Sequence, residues 1–93
     1  MLYKYYIGAN NSTKRVEQNK AVKIISKYFK GFTLAKSTGY WQGEQEHSIT
    51  VEIETEDLKT ILATAKELCK ELKQQAVGVA QIGTMQFITP NNE

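Results

Sequence analysis

The sequence predicts an α+β chain with its elements in the order β-α-β-β-α-β. Three observations carry that reading. His47, Ile49, Val51 and Ile53 alternate with Ser48, Thr50, Glu52 and Glu54, the period of a strand with one wet face. Ala21, Ile24, Ile25 and Tyr28 recur at i, i+3, i+4, i+7, and Leu58, Ile61, Leu62, Ala65, Leu68 and Leu72 form a second helical stripe. Short connections rich in Gly, Asn, Ser and Gln separate the six periodic segments.

Leu2 to Ile7 is aromatic-rich and reads as a strand, with apolar side chains on both parities that place it centrally. Gly8 to Thr13 is a loop, and Ser12 and Thr13 are candidate N-caps. A helix is expected from about Lys14 to Lys30, stopped by Gly31. Phe32 to Trp41 is the second strand, and a turn over Gln42-Gly43-Glu44-Gln45 joins it to the alternating third strand in a hairpin. Thr55 is the expected cap of a second helix, with Glu56 and Asp57 in its first turn and an end near Gln75. Val79 to Ile88 reads as the last strand, and Pro90 to Glu93 as a polar tail. Right-handed crossovers turn this order into the ferredoxin-like arrangement, a four-stranded antiparallel sheet with both helices on one face.

A chain of 93 residues makes one domain, spanning 1–93, with a thin two-layer core. The second sheet face lacks helix cover, and apolar residues on both parities of strands one and four point to a homo-oligomer that covers it. Composition excludes a disordered or collagen-like chain. A net charge of +2 does not demand a polyanionic partner. Its distribution is uneven: Met1 to Lys36 holds eight basic residues and one acidic residue, whereas Glu44 to Asp57 holds six acidic and none basic. Such asymmetry steers charged ligands or docks one subunit on another.

The single cysteine, Cys69, lies on or beside the second apolar stripe and reads as a small core residue. Without a possible internal disulfide, a cytoplasmic setting is expected. No stretch is apolar enough to span a membrane, and Lys4 within the first strand argues against a signal peptide.

Two segments are candidate binding sites. In the first, a strand ends, a polar loop follows and a helix begins, an arrangement that favours anions. Asn10, Asn11, Ser12 and Thr13 offer donors, and Lys14 and Arg15 add positive charge. Arg15, the one arginine, suits bidentate contact with phosphate or carboxylate. A well-capped loop with solvated charges is the alternative reading of these residues. Neither glycine-rich phosphate fingerprint is present, and no cofactor is implied. The second candidate, Thr38, Gly39, Tyr40, Trp41, Gln42 and Glu46, gathers aromatic and polar groups near the hairpin tip, where a flat ligand would stack on Trp41 or Tyr40. Packing of Trp41 on the hairpin is the alternative.

Catalysis and metal binding find little footing. Glu46 and His47 are adjacent on a strand and point to opposite faces, so they make a poor pair of metal ligands. His47 reads as a strand-end residue packed at the core margin. One histidine and an apolar-stripe cysteine give no nucleophile–base pair, and no catalytic residue is assigned. RNA binding through Tyr3, Tyr5 and Phe87 is disfavoured because the third strand lacks the glycine-aromatic signature and carries Glu52 and Glu54. The lysines Lys20, Lys23, Lys27 and Lys30 read as a solvated face.

The run Gly31-Phe32-Thr33, followed by Gly39-Tyr40-Trp41-Gln42-Gly43-Glu44-Gln45-Glu46-His47-Ser48, resembles small bacterial and phage proteins with a G-F-T…G-x-W…E-x-S pattern. The layout is also similar to the PII and CutA-like group. That resemblance implies ferredoxin-like subunits assembled as an oligomer, with ligands, often nucleotides, in clefts between subunits. This hairpin tip is short beside the long PII loop. The expectation is therefore a non-enzymatic oligomer that binds or sequesters a small anionic, nucleotide-type ligand. In it Asn11, Thr13, Lys14 and Arg15 hold the anion, Tyr40 and Trp41 stack, and Gln42 or Glu46 hydrogen-bonds. The alternatives are an interaction module using Tyr5 and Phe87 on the open sheet face, and a small ferredoxin-like enzyme.

Overall fold

The computed structural model describes residues 1–10, 12–74 and 77–83, with Trp41 described by its backbone alone. Its elements are β1 (Leu2–Gly8), α1 (Gln18–Ser26), β2 (Thr33–Trp41), β3 (Glu44–Glu54), α2 (Leu58–Glu71) and β4 (Gly78–Gly83). The strands form one antiparallel sheet in the order β2-β3-β1-β4, the ferredoxin-like arrangement. The expected continuation of β4 through Met85 and Phe87 to Ile88, the polar tail and the expected helix end at Gln75 lie outside the described residues.

Register decides which face of the sheet is core. Tyr3, Tyr5 and Ile7 stand opposite Ile53, Val51 and Ile49, so all six side chains leave the same face. All six are buried, together with Ala21, Ile24 and Ile25 of α1 and Ile61, Ala65, Leu68 and Leu72. Each fully buried aliphatic side chain contributes about 1.5–3 kcal/mol, so this single layer holds most of the hydrophobic stabilisation. Tyr5 therefore belongs to the core and does not line the open face, and Tyr3 likewise. The other face of β1 and β3 presents Lys4, exposed Tyr6, Thr50 and Glu52. The Lys4 ammonium sits 5.4 Å from the Tyr6 ring centroid.

Helix α1 is shorter than the apolar spacing predicts, at both ends. Lys14 adopts φ 61°, which no helix accommodates, and the helix begins at Gln18. Glu17 takes the cap position without a side-chain hydrogen bond, in place of Ser12 or Thr13. The helix ends at Ser26, well before Gly31. A nine-residue helix is marginal alone, and its stability comes from packing. Lys27 and the Tyr28 hydroxyl, just past its end, both bind the Glu67 carboxylate of α2.

Helix α2 is capped by Asp57 and not by Thr55. Asp57 Oδ1 accepts the Thr60 N–H at 3.0 Å, and its Oδ2 accepts the Thr60 hydroxyl at 2.6 Å. Thr55 Oγ1 instead accepts the Asp57 N–H at 3.1 Å. The β2–β3 turn is two residues tighter than expected. Gln42 (φ 50°) and Gly43 (φ 80°) make the whole connection, and β3 starts at Glu44. Two left-handed residues are the mark of a hairpin turn whose twist matches its strands. The hairpin outreaches the rest of the sheet. β2 and β3 pair out to Trp41↔Glu44, whereas β1 stops at Gly8↔Ser48.

Candidate functional site

The site begins with a loop that folds on one side chain. Asn10 is only 7% exposed, and its Oδ1 accepts the N–H groups of Ser12 at 2.8 Å and Thr13 at 3.1 Å. The Asn10 backbone closes the loop: its N–H donates to the Arg15 carbonyl and its carbonyl accepts from the Lys14 N–H, both at 2.8 Å. Thr13 Oγ1 accepts the Arg15 N–H at 3.3 Å. The left-handed conformation at Lys14, costly for a residue with a Cβ, is held by these bonds. The result is a pinned turn that presents Lys14 and Arg15 as exposed side chains.

Across from them is the helix-side face of the hairpin. Lys36 pairs with buried Ile49, and Thr38 pairs with His47, so Lys36, Thr38 and His47 share that face. His47 is exposed there instead of packed at the core margin. Between loop and hairpin lies a cleft of about 380 Å³. Lys14, Arg15, Lys36 and His47 line it over a floor that includes Val16 and Ile49, and no carboxylate is among the described residues of its lining. This volume is at the lower end of the range for small-molecule sites.

A second, more polar groove of about 490 Å³ follows the part of β3 that β1 leaves unpaired. It shares Lys14 and His47 with the first cleft but adds Asn10, Glu44, Glu46 and Gln74. The Gln74 side chain donates to the Ala9 carbonyl at 3.0 Å and ties the end of α2 to this loop.

The structure thus unites some of the expected residues and separates others. Lys14 and Arg15 meet in the basic cleft, and Asn10, Lys14 and Glu46 border the polar groove. The Asn10 oxygen is occupied within its own loop. Thr13 is exposed, and Asn11 lies outside the described residues. Thr38, Gly39, Tyr40 and Trp41 continue along the protruding hairpin arm, opposite His47, Glu46, Gln45 and Glu44, and Gln42 serves the turn. Thr38, Gly39, Tyr40 and Gln42 line neither cleft. Tyr40, at 72% exposure, stands on the same face as Lys36. Lys36 and His47 are the residues that sequence reasoning did not assign to a ligand. A two-residue turn at Gln42-Gly43 was the available signal, because that register sets both on one face.

Among the described residues, no group of three or more His, Cys, Asp or Glu side chains is placed to hold a metal ion. No helix among them is long and apolar enough to cross a membrane. Cys69 is half-buried.

No family model matches the chain, and no curated protein matches it. Among solved structures, the crystal structure of a DUF3240 family protein from Shewanella baltica OS155 is similar. It has a TM-score of 0.51 and 14% identity, covering 91% of this chain and 97% of that one. At that identity the likeness is one of fold, and it runs nearly the full length of both chains.

Proposed function

We propose that this chain binds a small anionic ligand of the nucleotide type without transforming it, as a cytoplasmic homo-oligomer. The observation that carries the reading is the cleft where Lys14, Arg15, Lys36 and His47 converge with no carboxylate among the described residues of the lining. Such a concavity concentrates positive potential and draws anions. Arg15 supplies the planar fork suited to phosphate oxygens, and the two lysines act as point charges. Tyr40 lies four residues along β2 from Lys36, roughly 13 Å, on the same face, so a ligand with a ring several bonds from its phosphate reaches both. The outer edge of β2, nine residues long and bordered by no further strand among the described residues, supports assembly through a second copy. The similarity to PII and CutA-like proteins points the same way.

Native mass spectrometry of the protein purified from cells, gently and then after denaturation, tests this reading. A phosphate-bearing compound is expected with the wild type and not with Arg15→Ala or Lys36→Ala. Equal retention by all three proteins would place the ligand elsewhere.

A further inference from the structure

His47 lines two adjoining hollows that differ in charge. On one side it lines the cleft with Lys14 and Arg15 from the loop and Lys36 from β2. On the other it lines the groove with Glu44 and Glu46 of its own strand and with Lys14, which borders both hollows, while the neighbouring end of α2 contributes uncharged Gln74. His47 is exposed, so protons reach it from solvent.

Resting on the proposed anion site, we infer that the cleft takes a dianionic oxyanion, sulfate or a phosphate monoester, together with a proton on His47. Histidine is the side chain whose ordinary range of charge change falls between pH 5 and 8. A neutral imidazole leaves three fixed cations facing the anion, and an imidazolium makes a fourth. Anion and proton then favour each other by one reciprocal factor. The cleft becomes an anion site whose occupancy follows pH, taking up ligand as pH falls and releasing it as pH rises.

Sulfate is the suitable probe because it stays a dianion throughout the window. Isothermal titration calorimetry is run on the intact chain at pH 5.5 and 8.0, in buffers of differing ionisation enthalpy to count protons. The wild type is expected to bind sulfate about tenfold more tightly at pH 5.5, with proton uptake at intermediate pH. His47→Gln is expected to lose the pH dependence, and Arg15→Ala to bind weakly at both values. Wild-type binding that does not vary with pH overturns the coupling but leaves the anion site standing. A pH dependence that survives in His47→Gln also overturns it, by assigning the effect to overall charge. Absence of sulfate binding by the wild type at both values overturns the anion site itself.

Discussion

The hydroxyl of Tyr5, in the middle of β1, donates a 2.6 Å hydrogen bond to the backbone carbonyl of Ile61 near the start of α2. This bond crosses the core and joins the sheet to the second helix at a side chain only 1% exposed. Tyr5→Phe keeps the ring and removes the bond, leaving that carbonyl only its helical partner. The expected loss is about 1–2 kcal/mol in urea denaturation at pH 7. Burial also pushes the Tyr5 phenol up to about 12, against a smaller opposing pull from the Thr64 hydroxyl. The fold therefore favours the neutral phenol. Its contribution is complete below pH 10, the value of a tyrosine in the unfolded chain, and is lost as pH rises through 12. Between pH 10 and 12 the wild type should lose stability more steeply than Tyr5→Phe, and parallel curves would refute this.

Asn10→Ala removes the acceptor for two backbone N–H groups and with it the clamp on left-handed Lys14. A stability cost of about 1–2 kcal/mol is expected. Anion affinity should fall as well, although the Asn10 oxygen is turned into its own loop, because Lys14 and Arg15 lose their fixed positions. Sulfate titration of folded Asn10→Ala protein measures the second effect separately from the first.

Asp57→Ala should lower the melting temperature by a few degrees, since it uncaps α2. The Thr60 hydroxyl and then the Thr60 N–H hold the Asp57 carboxyl below its ordinary range. The cap's stabilisation is accordingly present above the unfolded carboxylate value and disappears as pH falls through the lowered one. Melting curves of wild type and Asp57→Ala should converge as pH falls through that lowered range.

The hairpin turn offers two opposite substitutions. Nothing lies within 4 Å of a Cβ built on Gly43, so Gly43→Ala costs conformation alone, about 1 kcal/mol. Gln42, also left-handed, is poorly suited to its place, and Gln42→Asn should gain a few tenths of a kcal/mol. Thermal denaturation of the two variants should move in opposite directions.

The alternation of Ile49, Val51 and Ile53 and the stripes through Ile25 and Leu68 made the sheet, the helices and their order legible, because burial imposes those periods directly. Loop geometry was not legible in the same way. The late start of α1 depends on Asn10 closing a ring of hydrogen bonds back to Arg15, and no periodicity reports such a ring. Apolar residues on both parities of β1 read as two covered faces, yet only Tyr3, Tyr5 and Ile7 are buried, while Tyr6 stays 48% exposed. The cleft was half legible. Lys14 and Arg15 announce themselves as charges beside a loop, whereas Lys36 and His47 join them only once the strand register is known.

The central position of β1 has a consequence for how the chain comes together. Tyr3 faces Ile53 on one side and Gln81 on the other, so the strand synthesised first finds its neighbours late. The β2–β3 hairpin, closed by two residues, forms from local contacts within microseconds. Pairing of β1 with β3 must close a loop that contains α1 and the hairpin, and β4 adds only after α2 has left the ribosome. Assembly therefore runs from the middle of the chain outward. Until β4 arrives, the strand that carries Tyr3 and Tyr5 keeps one raw edge, which makes the interval before Gly78 the stage most exposed to mispairing.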